Sequence, residues 1–172
     1  MAHTNIEIKA ESDNQDKIKR ILKNKNAVFK GEDHQIDTYF SVNAGRLKLR
    51  EGKIENCLVH YQRQNHELPK QSNLSLFKAE PCGSLKDVLT NAPGVLVVVD
   101  KKREIYFIDN VKFHIDTVKG LGSFVEIEAI DTGGISKEKL LEQCNYYPEL
   151  FNINCKNLVV VSYSDMLLNS EN

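Results

Sequence analysis

Charged side chains alternate with apolar ones along several short segments of this chain. The segment Arg46–Arg50 carries three cations at alternate positions, and Lys101 and Arg103 repeat that spacing. Glu126 and Glu128 alternate with apolar residues in the same way. Because successive side chains on a strand point to opposite faces, each set shares one face of its strand. The sequence therefore predicts sheet faces that are cationic on some strands and acidic on another.

Two further segments carry mixed charges with the same period of two. Glu7 and Lys9 share a face opposite two isoleucines, and His114 shares a face with Asp116. Like charges gathered on one surface repel each other unless a counter-charge lies among them. A polyanion held by Lys and Arg, together with a divalent cation held by Glu and Asp, would supply both counter-charges.

An ordinary solvated sheet face is the simpler interpretation of any single one of these strands. Such a face usually mixes both signs of charge with Thr, Ser and Gln. Here cations dominate two segments and acids dominate the last. The combination favours a closed sheet with its charged faces turned inward, since a barrel directs alternate residues into its lumen. At this level both interpretations stay open.

The charged segments belong to a series of short predicted strands with a few helices. Strands are predicted over 5–10, 37–41, 46–50, 58–63, 74–79, 95–108, 111–118 and 123–130. Helices are predicted from Asp13, as N-cap, to Lys25, and again from Ser84 and Ser136. The tail 157–168 fits either a strand or a helix. Many short strands in succession are typical of a barrel or a strongly curled antiparallel sheet.

The composition is that of a globular protein with one domain over residues 1–172. Hydrophobic residues make up 41% and charged residues 27%, and the net charge is -1. Nucleic-acid-binding domains usually carry a basic excess, so we expect no nucleic-acid partner. Cys57, Cys82, Cys144 and Cys155 are scattered, which argues against a zinc site or a disulfide framework. The polar N-terminus and the absence of a long apolar run predict a cytoplasmic protein without a membrane partner.

The segments, taken in their order, resemble a known family. Asn5-Ile-Glu-Ile-Lys9 resembles the Glu-x-Glu-x-Lys signature that opens CYTH domains. The later segments resemble the subgroup similar to class IV adenylate cyclases: Asp37-Thr-Tyr-Phe40, Gly45-Arg-Leu-Lys-Leu-Arg-Glu51, Tyr61-Gln-Arg63, Pro69-Lys70-x-Ser72, Lys101-Lys-Arg103, His114-Ile-Asp-Thr-Val-Lys-Gly-Leu-Gly122 and Phe124-Val-Glu-Ile-Glu128. The resemblance runs over about residues 4–168. By it the chain is identified as a member of the CYTH, or triphosphate tunnel metalloenzyme, family.

The resemblance implies a fold, a substrate class and a cofactor. The fold is α+β and mainly antiparallel: an eight-stranded closed β-barrel, the triphosphate tunnel, with flanking helices. The substrate is a small-molecule triphosphate, and the cofactor is Mg²⁺ or Mn²⁺. Carried over position by position, the metal ligands are Glu7, Asp116, Glu126 and Glu128. Carboxylate oxygens are the ligands that hard divalent cations prefer.

The resemblance also assigns residues to the phosphates and to catalysis. The implied triphosphate ligands are Lys9, Arg46, Lys48, Arg50, Arg63, Lys70, Lys101, Arg103 and His114. The implied catalytic residues are Glu7, Lys9, Lys101, Arg103 and Glu126. Arg can bind a phosphate through two parallel hydrogen bonds, whereas Lys acts as a mobile point charge. His114 stands where many relatives have a cation, and a purely structural role for it stays open.

One position departs from the family's pattern and leaves three functional hypotheses. Asn5 stands where the signature has its first acid, so a second metal site is in question. The first hypothesis is cyclisation of ATP to cyclic AMP and pyrophosphate, as in class IV adenylate cyclases. The second is hydrolysis of inorganic tripolyphosphate or of a nucleoside or thiamine triphosphate. The third is a non-catalytic polyphosphate- or nucleotide-binding module, which Asn5 favours and the retained carboxylates oppose. Whether the chain forms a homodimer also stays open.

Overall fold

The computed structural model describes residues 3–63, 69–78 and 83–170. Its elements, in chain order, are β1 (His3–Glu11), α1 (Gln15–Asn24), β2 (Val28–Phe40), β3 (Arg46–Glu51), β4 (Cys57–Arg63), β5 (Lys70–Lys78), α2 (Gly83–Asn91), β6 (Val95–Ile108), β7 (Val111–Val118), β8 (Gly122–Ile130), α3 (Lys137–Leu150) and α4 (Tyr163–Ser170). A single 3₁₀ turn, Cys155–Asn157, lies between α3 and α4.

The eight strands form one closed antiparallel barrel in the order β1-β5-β4-β3-β2-β6-β7-β8. Two meanders, β2 to β5 and β6 to β8, are joined through the long β2–β6 pair. Strand β1 closes the circle because it pairs with β5 on one side and with β8 on the other. The predicted eight-stranded closed barrel with flanking helices is therefore confirmed.

The main hydrophobic core lies outside the barrel, between its wall and two helices. On β1, Ile6 and Ile8 are buried in this core, while Glu7 and Lys9 line the lumen. The helices α1 and α3 contribute Ile18, Leu22, Leu140 and Cys144. Full burial of one such aliphatic side chain contributes about 1.5–3 kcal/mol. This outer layer therefore supplies apolar stabilisation that a charged lumen does not.

Helix α4 closes one end of the barrel. The ring of Tyr163 packs against Phe124 with ring centroids 5.0 Å apart, and both belong to an apolar cluster with Val97 and Val118. At the opposite end, which we call the mouth, partly exposed residues such as Ile54 in the β3–β4 loop line the cavity. The lumen thus runs from an apolar closed end to an open mouth.

Several predicted elements differ from the structure at their ends. The N-cap of α1 is Asn14, whose side chain accepts a hydrogen bond from the backbone N–H of Lys17, and the prediction of Asp13 was wrong. Asp and Asn cap helices about equally well, so the sequence could not choose between them. Strand β2 is far longer than the predicted 37–41, and the predicted 95–108 is one unbroken strand.

Two other sequence features have a structural counterpart. None of the helices in the described ranges is long and apolar enough to cross a membrane. Cys57, Cys144 and Cys155 are free thiols, and Cys82 lies outside the described residues.

Candidate active site

The lumen contains a cavity of about 960 Å³ whose wall is strongly charged. Among the described residues its cations are Lys9, Lys48, Arg50, Lys78, Lys101, Arg103 and Lys112. Its carboxylates are Glu7, Asp37, Glu55, Glu126, Glu128 and Asp131. Strands β3 and β6 bring cations together around Asp37 of β2, whereas β1 and β8 bring carboxylates together on another side. The two halves differ in what they could bind.

The cation-rich half is organised around one carboxylate, Asp37. Arg50 donates to both oxygens of Asp37, from Nε at 2.8 Å and from Nη2 at 2.9 Å. Lys101 Nζ and Lys48 Nζ donate to the same Oδ2 at 2.6 and 3.2 Å. Burial would raise the pKa of Asp37, but these three cations hold it well below its ordinary value. Arg50 also pairs with Glu55, but Glu55 is shared with Lys112, so the cations still outnumber the carboxylates and this cluster keeps a positive excess.

Lys101 shows that excess most clearly. Burial lowers its pKa to about 7, and Arg50, Arg103 and Lys48 act in the same direction. Asp37 opposes the shift without cancelling it, because that carboxylate is shared with two other cations. The largest cause of the low pKa of Lys101 is burial, to which the cations around Asp37 add an imbalance of charge. A second anion in the cavity would relieve it.

Arg103 is held rigidly from behind by Asp116. Its Nε and Nη2 donate to the two oxygens of Asp116 at 2.7 and 2.5 Å, and Nη2 also donates to Glu126 at 2.8 Å. The hydroxyl of Tyr163 donates to Asp116 Oδ2 at 2.8 Å. Asp116 is fully buried, and its oxygens already accept these bonds. Its assignment as a metal ligand remains a prediction, and metal binding there would require these bonds to break.

The acidic half lies on β1 and β8. Glu7 is paired with Glu128 across the two strands, and Asn5 Nδ2 donates to Glu128 Oε1 at 2.6 Å. Burial raises the pKa of Glu128, and the neighbouring Glu7 and Glu126 raise it further, against the opposing charge of Lys112. Asn5 Oδ1 is buried and has no hydrogen-bond partner in the described part of the chain. Crowded carboxylates beside an unsatisfied amide oxygen suit a hard divalent cation.

The carboxylates are not already gathered around one point. Among the described residues, no three His, Cys, Asp or Glu side chains form a group that could hold an ion. One reason is that Glu126 accepts hydrogen bonds from Arg103 and lies beside His114 instead. The oxygens of Glu7, Glu128 and Asn5 are of the type that binds a hard divalent cation. The full set of metal ligands stays a prediction.

His114 is buried and neutral near pH 7. Burial, and after it the charges of Arg103 and Lys112, lower its pKa to about 4, although Glu126 opposes them. Its Nδ1 lies 3.1 Å from Glu126 Oε2, so this contact is a hydrogen bond and not an ion pair. Its Nε2 is buried without a partner among the described atoms. If Nδ1 carries the proton, Nε2 is a buried acceptor whose lone pair is unsatisfied by the described residues.

The structure brings most of the predicted phosphate ligands to the cavity wall. Lys9, Lys48, Arg50, Lys101, Arg103 and His114 all line it. Of the predicted phosphate ligands with described side chains, Arg46 alone lies elsewhere. It donates to Ser162 Oγ at 2.6 Å and to Asp165 Oδ2 at 2.7 Å, which ties β3 to α4. Arg63 and Lys70 lie in β4 and β5, but their side chains fall outside the described part.

Sequence reasoning missed four charged or polar residues of the site. Asp37, Glu55, Lys112 and Tyr163 were given no role. Lys112 had a usable signal, since it alternates with His114 and Asp116 on one face of β7. Glu55 had none, because it lies in the loop between β3 and β4, where side chains follow no regular period.

Comparisons with known proteins identify a family and a shared fold. The model of the CYTH domain matches residues 3–151. A Methanocaldococcus jannaschii protein named "putative adenylate cyclase" is 26% identical, covering 94% of this chain and 97% of its own length. Two solved structures share the fold. A "putative adenylate cyclase" from Vibrio parahaemolyticus has a TM-score of 0.79 at 18% identity, covering 97% of this chain and 99% of its own. A "putative adenylyl cyclase" from Hippeastrum, described as revealing a dominant triphosphatase activity, has a TM-score of 0.62 at 13% identity, covering 98% and 95%.

Proposed function

This chain belongs to the CYTH domain family, and from that premise we propose that it is a divalent-metal-dependent enzyme acting on a triphosphate inside its barrel. The observation that carries the proposal is the cluster around Asp37, where one buried carboxylate is shared by Arg50, Lys48 and Lys101. A triphosphate would bring the negative charge that this cluster lacks. Hydrogen bonds between charged partners contribute about 1.5–3 kcal/mol each, so several such contacts would give tight binding.

The cations have distinct parts in the proposed binding. Arg103 is pre-oriented by its two bonds to Asp116, so it loses little freedom when a phosphate oxygen approaches. Lys101 and Lys48 are single-point donors that can turn from Asp37 to a phosphate. Lys9, on β1, lies with its Nζ 4.2 Å from the centroid of the Tyr163 ring, beside the closed end. The phosphates would therefore lie between the closed end and the cluster around Asp37.

The acidic half is the proposed place for Mg²⁺ or Mn²⁺. Glu7, Glu128 and the amide oxygen of Asn5 would hold the ion, with Glu126 next to them. When bound, a divalent cation neutralises phosphate charge and polarises the phosphorus–oxygen bond that breaks. The bond from Asn5 Nδ2 keeps Glu128 oriented toward this corner. Glu126 lies between the acidic half and Arg103, so it couples the two halves of the site.

The first candidate reaction is the cyclisation of ATP. The 3′-hydroxyl of the ribose would attack the α-phosphorus, the bond from the α-phosphorus to the bridging oxygen of the β-phosphate would break, and pyrophosphate would leave. The names of the Methanocaldococcus and Vibrio proteins support this reaction. The proton of the attacking hydroxyl would pass to solvent through the open mouth. The cations would hold the departing pyrophosphate.

The second candidate reaction is hydrolysis of the terminal phosphate. Water would attack the terminal phosphorus, the bond from that phosphorus to its bridging oxygen would break, a proton of the water would pass to solvent, and orthophosphate and the corresponding diphosphate would be released. The dominant triphosphatase activity described for the Hippeastrum protein, which has the same fold, favours this candidate. Both reactions need in-line positioning and charge stabilisation more than a covalent nucleophile. A binding module without turnover is the third candidate, and the retained Glu7 and Glu126 oppose it.

A product assay separates these candidates. ATP, tripolyphosphate and thiamine triphosphate are each incubated with the protein and Mg²⁺, Mn²⁺ or a chelator. Cyclic AMP with pyrophosphate would identify the cyclase, and orthophosphate would identify the hydrolase. Binding without any product would identify the module. No binding of any of the three compounds would overturn the proposed function.

Glu126→Gln tests whether turnover depends on the acidic half. The amide can still accept a hydrogen bond from Arg103, so we expect the barrel to fold and metal-dependent turnover to be abolished. The matched control is Glu142→Gln, which removes the same charge from an exposed position on α3. Full activity in Glu126→Gln, with either metal, would contradict the part proposed for Glu126 between the metal and Arg103.

A further inference from the structure

The loop between β3 and β4 turns inward at the mouth and is fixed there by a buried carboxylate. Asp33, on β2, is fully buried and accepts hydrogen bonds from three successive backbone N–H groups of the loop. These come from Lys53 at 2.7 Å, Ile54 at 3.1 Å and Glu55 at 3.0 Å. A loop whose backbone is held at three points in a buried site has one defined course.

Two further features direct the side chain of Glu55 into the lumen. Gly52 has no room for a side chain, since a Cβ there would lie 2.4 Å from Asp33 Oδ2 and 2.8 Å from the carbonyl oxygen of Glu55. Gln35 Nε2 donates to Asp33 Oδ2 at 2.9 Å and to Glu55 Oε2 at 3.0 Å, which links the anchor to the side chain it positions. The inward course of Glu55 is therefore built into the loop.

Glu55 spans the lumen between two walls. It accepts a hydrogen bond from Arg50 Nη1 at 2.8 Å and forms an ion pair with Lys112. Arg50 lies on β3 and Lys112 on β7, which are separated around the barrel by β2 and β6. Burial would raise the pKa of Glu55, but Arg50 and Lys112 lower it, so the carboxylate is ionised. A fixed negative charge therefore stands between the cation cluster and the mouth.

We propose that Glu55 is a specificity-determining residue that ends the phosphate-binding part of the tunnel on its mouth side. This inference rests on the proposed function. Phosphates would be confined between the end closed by α4 and the carboxylate of Glu55, because a further phosphate would be repelled by that carboxylate and would have to displace it from Arg50 and Lys112. An uncharged organic group would meet no such repulsion.

The residues nearer the mouth fit this division. Ile54, Ile130 and Leu76 line the cavity there with the acidic Asp131, a surface on which the organic part of a nucleotide can rest. The exposed Lys78, a cation, also lines the cavity. The rejection of longer polyphosphates is therefore a property of Glu55 and not of the whole mouth. The enzyme would accept an inorganic or organic triphosphate and reject longer linear polyphosphates.

Wild-type protein provides the first test, by calorimetric titration with linear tripolyphosphate and linear tetrapolyphosphate in Mg²⁺. We expect tripolyphosphate to bind at least about tenfold more tightly than tetrapolyphosphate, although the longer chain carries more charge. Equal or tighter binding of tetrapolyphosphate would overturn the inference, whatever the variants do. Failure of both compounds, and of ATP, to bind would instead overturn the proposed function.

Glu55→Gln tests whether this carboxylate causes the selectivity. Gln keeps the size and can keep the hydrogen bonds from Arg50 and Gln35, so the ratio of the two affinities should shift toward tetrapolyphosphate by about tenfold. The control is Glu51→Gln, which removes the same charge from the outward face of β3, where Glu51 pairs with Lys86. If the role of Glu55 is purely structural, Glu55→Gln should be less stable than wild type and its affinity ratio should be unchanged. That result, or an equal shift in Glu51→Gln, would contradict the proposal.

Discussion

Lys101 and Arg103 lie two residues apart on the same face of β6, and both are buried, but their partners differ. Lys101 shares Asp37 with Arg50 and Lys48, so that carboxylate keeps two cations when Lys101 is removed. Asp116 is bound by Arg103 through both oxygens and otherwise by the hydroxyl of Tyr163. We therefore expect Lys101 to contribute mainly to binding, and Arg103 to contribute to stability as well.

Replacing each cation with methionine should separate these contributions. We expect Lys101→Met to weaken tripolyphosphate binding about 10- to 150-fold, the equivalent of about 1.5–3 kcal/mol, with little change in the free energy of unfolding at pH 7. Arg103→Met should lower the free energy of unfolding by about 3–5 kcal/mol, because Asp116 is left buried without its cation. Calorimetry and urea denaturation measure the two quantities. Equal losses of stability in both variants would contradict this division.

The lowered pKa of Lys101 also predicts how stability depends on pH. The folded protein releases this proton near pH 7, whereas the unfolded chain keeps it up to the ordinary value of 10.5. Between these values the unfolded state binds more protons, so the contribution of Lys101 makes the free energy of unfolding rise with pH. Below about pH 7 that contribution is constant. Urea denaturation from pH 6 to pH 10 should show the rise in wild type and a smaller one in Lys101→Met; parallel curves would contradict it.

At the scale of elements, β1 carries the departure from the family's opening signature. Asn5 donates to Glu128 where the signature has an acid, so it reduces the repulsion between Glu7 and Glu128 without metal. Asn5→Glu would restore the acid and add a third carboxylate to this corner. The exchange of an amide for an acid should make the folded barrel depend more on a bound cation.

The melting temperature of Asn5→Glu should therefore fall in chelator and recover strongly in Mg²⁺ or Mn²⁺. A metal present at about 100 times its dissociation constant stabilises the folded state by about 2.7 kcal/mol. Asn145→Glu is the matched control, because it adds the same charge at an exposed position on α3. If the metal raises the melting temperature equally in the two variants, the acidic half is not the metal site.

The sequence predicted strands well where apolar residues faced a helix and charged residues faced the lumen. The bounds of β7 were predicted as observed, since Phe113 and Ile115 pack outward between charged neighbours. Strand β2 was predicted too short because Asp33, Gln35 and Asp37 face the lumen of a barrel that only the other strands create. The course of α4 could not be predicted, because its apolar residues are buried only by the barrel end.

The sequence could predict which charged residues share a strand face, but it could not predict which of them reach the cavity. Period two placed Arg46 and Arg50 on one face of β3, but only the closed barrel shows that Arg50 reaches the cavity and Arg46 reaches α4. Glu55 was unpredictable for a related reason. Its loop has no period, and its inward course depends on Asp33, which lies 22 residues earlier in the chain.

At the scale of the whole molecule, the barrel separates stability from chemistry. The main apolar core lies outside the wall under α1 and α3, so the lumen is free to hold charges that oppose folding in the absence of an anion. Those charges form the cation-rich half and the acidic half of one cavity. The function proposed for this chain depends on both halves acting on the same triphosphate.

Calorimetric titration of the wild-type protein with tripolyphosphate, in Mg²⁺ and again in chelator, measures this dependence most directly. We expect saturable binding of one tripolyphosphate per chain in Mg²⁺ and weaker binding in chelator, because only the cation-rich half then contributes. Absence of saturable binding in Mg²⁺, or an affinity that is the same in chelator, would contradict this expectation.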